Sequence, residues 1–451
     1  MANVGRKPKP EPSRLLVFHL LTQVNRQGAY ANLRLPELLT ESNLEERDRA
    51  FATELGYGTL RMQGKHDALI MRHIDRPFEE LDPGIVDLLR MGIHQLKEMR
   101  VPDHAAVGET VEIARATIGE SKASFVNAIL RKVSTDIDFE SDLLAIPDIK
   151  LRLATLYSHP EWEVGAFFDQ LQDWQKVESL LIANNTPVKP HLIAWTGRST
   201  QEELIAEGGE LLEGTSHGVL SAKMPGAYTA VRERRAGVQD RGSQLVAQVF
   251  LNTAKDESKN LSWLDMCAGP GGKASALFTD LLVNRREDSF IANEPSEHRA
   301  RLVSHVIPSE NVMIHPGQEL PNLGVKYDRI IVDAPCTGLG ALRRRPEARW
   351  RRTPSDLKEL VKIQRELLNS AISVLNPGGI LAYVTCSPHL LETKAQVLET
   401  LHRNPGISLL NVSQYLPEGV ASRTVNSDGT LQLWTHEDDS DSMFLALFRL
   451  N

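Results

Sequence analysis

The chain has 451 residues, 41% hydrophobic and 24% charged, with a formal net charge of −8. That balance fits globular domains with real cores, about three of them at roughly 150 residues each. It excludes a surface coated in basic residues but leaves room for a local phosphate-binding groove, because local rather than net charge sets such contacts.

No apolar run reaches the ~18 residues of a membrane-spanning helix. The basic start, MANVGRKPKPEPSR, has no apolar segment behind it, so residues 1–12 read as a disordered arm and the chain as cytoplasmic, with no membrane partner. Residues 13–135 read as all helix. Leu15, Leu16, Phe18, Leu20 and Leu21 open an apolar helix, and Ile85, Leu88, Leu89 and Leu96 recur at helical spacing. Val107, Val111 and Ala114 share a face, and FVNAILRKV continues the pattern, which predicts a helical bundle. Residues 136–236 are mixed: a helical part containing YSHPEWEV, then HLIAW, a helix over 200–212, and GVLSAKM, which suggest a small α+β connector. From 237 to 451 strands and helices alternate. The strand-like runs are WLDMCAG, SFIANE, NVMIH, DRIIVDAP, GILAYVTCS and a final SMFLALFRL. Such alternation predicts a doubly wound, mostly parallel, Rossmann-like sheet, whose ligands bind at the carboxyl ends of the strands.

The three cysteines are Cys267, Cys336 and Cys386, with no CxxC pair and no zinc-spaced His/Cys cluster, so neither a structural disulfide nor a metal is expected. All three fall at the ends of strand-like runs. Cys267 begins a Gly/Pro-rich turn, Cys267-Ala268-Gly269-Pro270-Gly271-Gly272-Lys273, which leads into a helix. Glycines let a backbone approach a ligand closely, and a helix start offers unpaired amides. The spacing is not that of a phosphate-binding Walker loop. Glu294 closes the next strand, where a carboxylate suits the two hydroxyls of a ribose. Asp333 and Cys336 end one strand and Cys386 another, so neighbouring strand ends should bring both thiols and the carboxylate into one cleft. The loop after Cys336 carries Arg343, Arg344, Arg345, Arg349, Trp350 and Arg351; basic side chains with an interleaved aromatic suit RNA phosphates and a stacked base.

DMCAGPGGK, DAPCTGLG and YVTCS together resemble the motifs of the RNA (cytosine-5)-methyltransferases. RAFATELGYGTLRMQGKHDALI, RMGIHQLKEMRVPDHAAVGETVEIA and FVNAILRKV resemble the NusB-like RNA-binding domain fused to one branch of that family, the small-subunit ribosomal RNA methyltransferase B branch. The resemblance implies a multidomain chain: a NusB-like bundle, the connector, and an S-adenosylmethionine-dependent catalytic domain. It implies that Cys267 through Lys273, Glu294, Gly317 and Asp333 bind the cofactor, that the RNA is 16S ribosomal RNA, and that the protein is a monomer. Pro316 stands where many members have an adenine-binding Asp, which leaves a backbone amide near Gly317 as a substitute. Glu392-Thr393 replaces a common Glu-Asn pair, DSMF replaces Asp-Gly-Phe-Phe, and the usual Arg-Asn is missing from HLIAWTGR.

The chemistry implied is covalent catalysis, in which a thiolate adds to carbon 6 of cytosine and makes carbon 5 nucleophilic. Spacing leaves open which cysteine attacks; the resemblance assigns Cys386 as nucleophile, Cys336 as the group that aids release, Asp333 as the contact to the base edge, and Lys273 as its neighbour. Two other readings stand beside it: the same chemistry on transfer RNA or large-subunit ribosomal RNA, and a non-catalytic RNA-binding or assembly factor.

Overall fold

A computed structural model describes residues 9–420 and 422–451. The chain divides into two compact units: one runs to Asn185 and also takes in Arg344–Arg351, and the other holds Thr186–Arg343 and Arg352–Asn451. Residues 1–8 of the expected arm lie outside the described residues.

The first unit is helical, as its periodicity predicts. It begins at Pro12–Gln27, where the Glu11 carboxylate accepts from the amides of Ser13 and Arg14 and Gly28, at φ +73°, ends the helix. Capping by a side-chain oxygen and a left-handed glycine are the usual start and stop of a helix. The buried face is Val17, Phe18, Leu20, Leu21 and Val24. Pro83–Lys97 is the central helix. Asp82 caps it, Pro83 sits in its first turn, and every residue from Gly84 to Gln95 is buried. Helices Glu46–Arg61, Asp103–Thr117 and Glu120–Thr135 pack around it. Gly92 lets Glu120–Thr135 come close: a Cβ there would stand 2.7 Å from Leu130. Past 135 the unit continues through Phe139–Leu144, Ile149–Leu156, Glu161–Leu171 and Trp174–Asn185, the helical part expected at the start of 136–236.

The second unit opens with a small antiparallel sheet, β1 (His191–Ala194), β2 (Glu210–Leu211), β3 (Gly218–Leu220) and β4 (Ala236–Val238), in the order β2-β3-β1-β4. The boundary expected at 236 cuts through β4. The helix expected over 200–212 is Gln201–Ala206 only, because the chain turns at Gly208 (φ +101°) and Gly209 into β2. The large sheet follows: β5 (Ser262–Asp265), β6 (Ser289–Asn293), β7 (Val312–Met313), β8 (Tyr327–Asp333), β9 (Leu375–Thr385), β10 (Ile407–Leu410), β11 (Leu431–Gln432) and β12 (Phe444–Leu450). Its order is β10-β12-β9-β8-β5-β6-β7, with β11 also on β12. The five strands β5 to β9 pair in parallel, and β12 inserts antiparallel between β9 and β10. Both faces are covered, so the central strands carry apolar side chains toward both. Ile330, Val332, Leu381 and Tyr383 pack under helix Pro354–Ser373, while Ile331, Ile380, Ala382 and Val384 face helices Arg241–Asn252 and Gly272–Asn284. This is the Rossmann-like arrangement, and it leaves the ends of β5, β8 and β9 side by side.

Among the described residues no helix is long and apolar enough to cross a membrane, and no group of three or more His, Cys, Asp or Glu is placed to hold a metal ion.

The helical unit carries an acid-labile pair. The rings of His66 and His94 meet edge to face at 5.4 Å, and neither has a hydrogen-bond partner for its ring nitrogens. Burial and the neighbouring charge of Arg61 push His94 down to about 3, and burial together with His94, Lys65 and Arg90 pushes His66 well down from 6.5. The unfolded chain therefore takes up protons first as the pH falls. Stability of this unit should be full above about pH 6.5 and drain below it, by up to about 1.4 kcal/mol per pH unit for each histidine. Amide-exchange protection of Gln63–Met71 and Pro83–Lys97, measured from pH 7 down to 4, should fall accordingly; flat protection would count against neutral burial.

Candidate active site

Three neighbouring strand ends build the site. In register, Asp265 on β5 lies opposite Ile331 on β8, and Asp333 on β8 lies opposite Val384 on β9. The pairing carries on past the strands: the Met266 amide donates to Ile331 O (2.9 Å), the Ala334 amide to Val384 O (2.9 Å) and the Gly340 amide to Cys386 O (2.9 Å). The result is that Cys336 Sγ stands 3.3 Å from Cys386 Sγ. Lys273, in the first turn of Gly272–Asn284, places Nζ 2.8 Å from Asp333 Oδ2.

The electrostatics set the state of Cys336. Cys336 is pushed well above the usual thiol range by its hydrogen bond with Cys386, then by burial, then by the charges of Cys386, Glu392 and Asp333. It is held as the thiol. Burial works to discharge Lys273, but Asp333, Cys386 and Asp265 outweigh it and its pKa rises, so it stays an ammonium. Cys267 is pushed far up by burial and by Asp265, Asp333 and Glu294, which makes it an inert thiol in the loop.

The glycine loop closes on Glu294. Its carboxylate accepts from the amides of Gly269 (3.1 Å) and Ser296 (3.0 Å), and Arg299 lies 3.5 Å away. A Cβ on Gly269 would stand 2.2 Å from Glu294 Oε2, so glycine is required there. Asn293, fully buried, donates to Met266 O and His315 O, both at 3.0 Å, and ties together the ends of β5, β6 and β7. Asp265 accepts from the Cys267 amide at 3.2 Å through Oδ1, while Oδ2 is buried without a partner. Burial, then Asp333, raises Asp265 to about 7. Gly317 starts the short helix Gly317–Leu323; Ser370 Oγ donates to its carbonyl at 2.6 Å, and Pro316 before it is exposed. The donor set fits S-adenosylmethionine: a partnerless buried carboxylate oxygen suits a cation, Glu294 suits a ribose, and Gly269 and Gly271 keep the loop free of side chains.

The arginine loop departs from expectation. Arg349, fully buried, donates through Nη1 to Ser158 O (2.8 Å), Asn185 Oδ1 (3.0 Å) and Arg61 O (3.3 Å), all within the helical unit. Burial lowers it to about 9, and buried Glu163 beside it partly offsets this. Arg351 donates to Val24 O (2.9 Å) and also to Ala29 O, at the end of Pro12–Gln27, where a cation complements the helix dipole. Glu347 accepts from the Ala31 amide at 3.1 Å and caps Ala31–Glu41. Trp350 approaches Gly64 closely enough that a Cβ there would lie 2.3 Å from its ring, and its Nε1 is buried. Arg343, buried in the other unit, is paired with Asp439. These side chains hold protein together and are not free for RNA. Arg345 is exposed, over the ring of Tyr30, and Arg344 is half-buried. The pattern misled because a short helix, Ala348–Arg351, lays alternating basic and aromatic groups onto helix ends as readily as onto a nucleic acid.

Residues not expected at the site are Asp265, Asn293, Thr337, Gln364, Ser387 and Glu392. Asp265 and Asn293 adjoin recognised strand ends; Gln364 and Glu392 come from distant segments, and of these only Glu392 carries a signal, as the first residue of the Glu392-Thr393 pair.

The chain matches the family described as 16S rRNA methyltransferase RsmB/F over residues 249–449, and the NusB family over residues 11–135. It is 40% identical over 456 residues to the Mycobacterium tuberculosis protein Rv1407, named as a methyltransferase, covering 99% of this chain and 98% of that one. It is 30% identical to the Probable ribosomal RNA small subunit methyltransferase B of Bacillus subtilis, with 97% and 98% covered. Among solved structures it is similar to the crystal structure of PH0851, with a TM-score of 0.80 at 19% identity over 98% of this chain and all of that one.

Arg349→Ala should cost about 1–3 kcal/mol for each acceptor it leaves unpaired, Ser158 O, Asn185 Oδ1 and Arg61 O, and thermal unfolding will show it. The salt dependence of RNA affinity should keep its slope. A slope reduced by about one per lost phosphate contact would restore the RNA-binding role.

Proposed function

Because the chain belongs to the ribosomal RNA small subunit methyltransferase B family, and is thereby an S-adenosylmethionine-dependent RNA methyltransferase, we propose that it methylates carbon 5 of a cytosine in 16S ribosomal RNA, with Cys386 as nucleophile. The observation that carries this reading is the thiol pair: Cys336 and Cys386 at 3.3 Å, beside the Lys273–Asp333 ion pair. A single nucleophile needs one cysteine; a second, kept as a thiol against the first, suits a reaction that must also undo its covalent bond.

Bound by the Cys267–Lys273 loop, Asp265, Glu294 and Gly317, S-adenosylmethionine supplies a methyl group made electrophilic by its sulfonium. The rest falls to side chains. The Cys386 thiolate bonds to carbon 6, and the electrons of the 5,6 double bond become available at carbon 5. The base must be unstacked to present its face to the thiol. Asp333 holds the N3/N4 edge of the base, and the Lys273 ammonium offsets charge at that carboxylate. Once carbon 5 carries the methyl group, its proton leaves to solvent, the 5,6 double bond re-forms, and the carbon–sulfur electron pair returns to Cys386. Cys336 donates its thiol hydrogen bond to that departing sulfur and lowers the cost of release.

RNA carrying 5-fluorocytosine lacks the proton that must leave, so it traps the adduct. Cys386→Ala should form none, and Cys336→Ala should accumulate a covalent complex even on ordinary RNA. An adduct on the Cys386→Ala chain would overturn the assignment. Bisulfite sequencing with and without the gene should show 5-methylcytosine lost from 16S ribosomal RNA; loss from transfer RNA instead would move the substrate.

A further inference from the structure

A buried polar network grips the chain on both sides of Cys336. The Glu392 carboxylate, fully buried, accepts from the Thr337 amide at 2.8 Å and also from the Thr337 hydroxyl. Gln364, fully buried on helix Pro354–Ser373, donates one amide proton to Pro335 O (2.9 Å) and another to Glu392 Oε1 (3.0 Å). The Tyr383 hydroxyl donates to Glu392 O at 2.8 Å and shares that one proton with the Gln364 carbonyl at 3.2 Å. Burial, Glu392 and Cys336 keep that phenol pushed well up, so it remains a donor. The peptide groups before and after Cys336 are thus both held by groups from outside its own loop.

The network also reaches the other cysteine. Thr337 Oγ1 lies 3.0 Å from Ser387 Oγ. Since the Thr337 proton is committed to Glu392, Ser387 is the donor. The residue after Cys386 is thereby tied to the residue after Cys336, and the run ends on the carboxylate. Buried networks whose members are all satisfied specify one geometry, and a carboxylate strengthens each bond it accepts.

We propose that Glu392 and Gln364 are positioning residues that hold the Cys336 thiol against Cys386, and that their contribution to the reaction lies in release of the RNA rather than in attack on it. This rests on Cys336 acting in release. The position matters because a hydrogen bond to a departing sulfur works only at contact distance, and a misplacement of about 1 Å can cost about a hundredfold in rate. Glu392 has a second effect in the same direction: its charge helps keep Cys336 a thiol, the form that can donate.

The test uses the full chain with RNA and S-adenosylmethionine, and the variants Glu392→Gln, Thr337→Val, Thr337→Ser and, for reference, Cys336→Ala. Glu392→Gln and Thr337→Val should lower kcat about 10- to 100-fold and lower KM for RNA with it, leaving kcat/KM close to that of the wild type, because the slowed step follows attack. Both should accumulate a denaturant-resistant protein–RNA complex on ordinary RNA while trapping 5-fluorocytosine RNA at close to the wild-type rate. Thr337→Ser, which keeps the hydroxyl, should restore turnover. Wild-type kcat in Glu392→Gln and Thr337→Val overturns the proposal, as does a folded Thr337→Val chain that traps no fluorinated RNA, because the network then serves attack or the fold alone. If Cys336→Ala accumulates the complex and Glu392→Gln does not, only the positioning role falls. If Cys336→Ala itself accumulates none, the release role of Cys336 falls, and the positioning role with it.

Discussion

Parallel pairing of β8 with β9 is the constraint on which the site depends. It is what sets two thiols fifty positions apart in sequence at 3.3 Å in space. The pairing is secured by apolar side chains on both faces, Ile330 to Val332 on one strand and Ile380 to Val384 on the other, so a slip of one residue would turn each strand's two faces over and move the cysteines apart. Everything chemical at the site is therefore held by the core, which has no part in the chemistry.

Charge is the second organising element. Asp265, Asp333 and Glu294 surround the glycine loop, with Lys273 paired to Asp333 and Arg299 near Glu294. A cofactor that carries a sulfonium and an ammonium is matched by such a rim, because its charge replaces the repulsion among carboxylates that burial would otherwise enforce. Burial first, and then repulsion from Asp333 that Lys273 offsets only in part, keep Asp265 raised.

Much of this was legible in the sequence, and the reason is periodicity. The 3.6-residue recurrence of Ile85, Leu88 and Leu89 and the short apolar runs ending at Asp265, Asp333 and Thr385 each report a local geometry. The two thiols and Asp333 could be placed together because strand ends are fixed by topology. What stayed hidden depends on pairing at a distance. β4, β10 and β11 are two to four residues long, too short for a pattern. Glu392 meets Thr337 across 55 positions and Gln364 across 28, as a network that no window contains. Arg349 reads as a phosphate ligand because sequence gives charge but not whether a guanidinium faces solvent or three acceptors of its own unit.

The packing of Arg344–Arg351 has a consequence for how the protein is made. By packing these residues belong to the helical unit, yet they are encoded after most of the central sheet, and the chain passes between the units at 185, 343 and 351. A nascent chain emerging from the ribosome can form the helices up to Asn185, but Glu163 then lies buried without Arg349 and the amide of Ala31 without Glu347. At translation speeds of about 5–20 residues per second, the bundle stays incomplete for many seconds and is finished only when strands β5 to β8 already exist. Synthesis thus couples the two units in time: the first to begin folding is not the first that can finish.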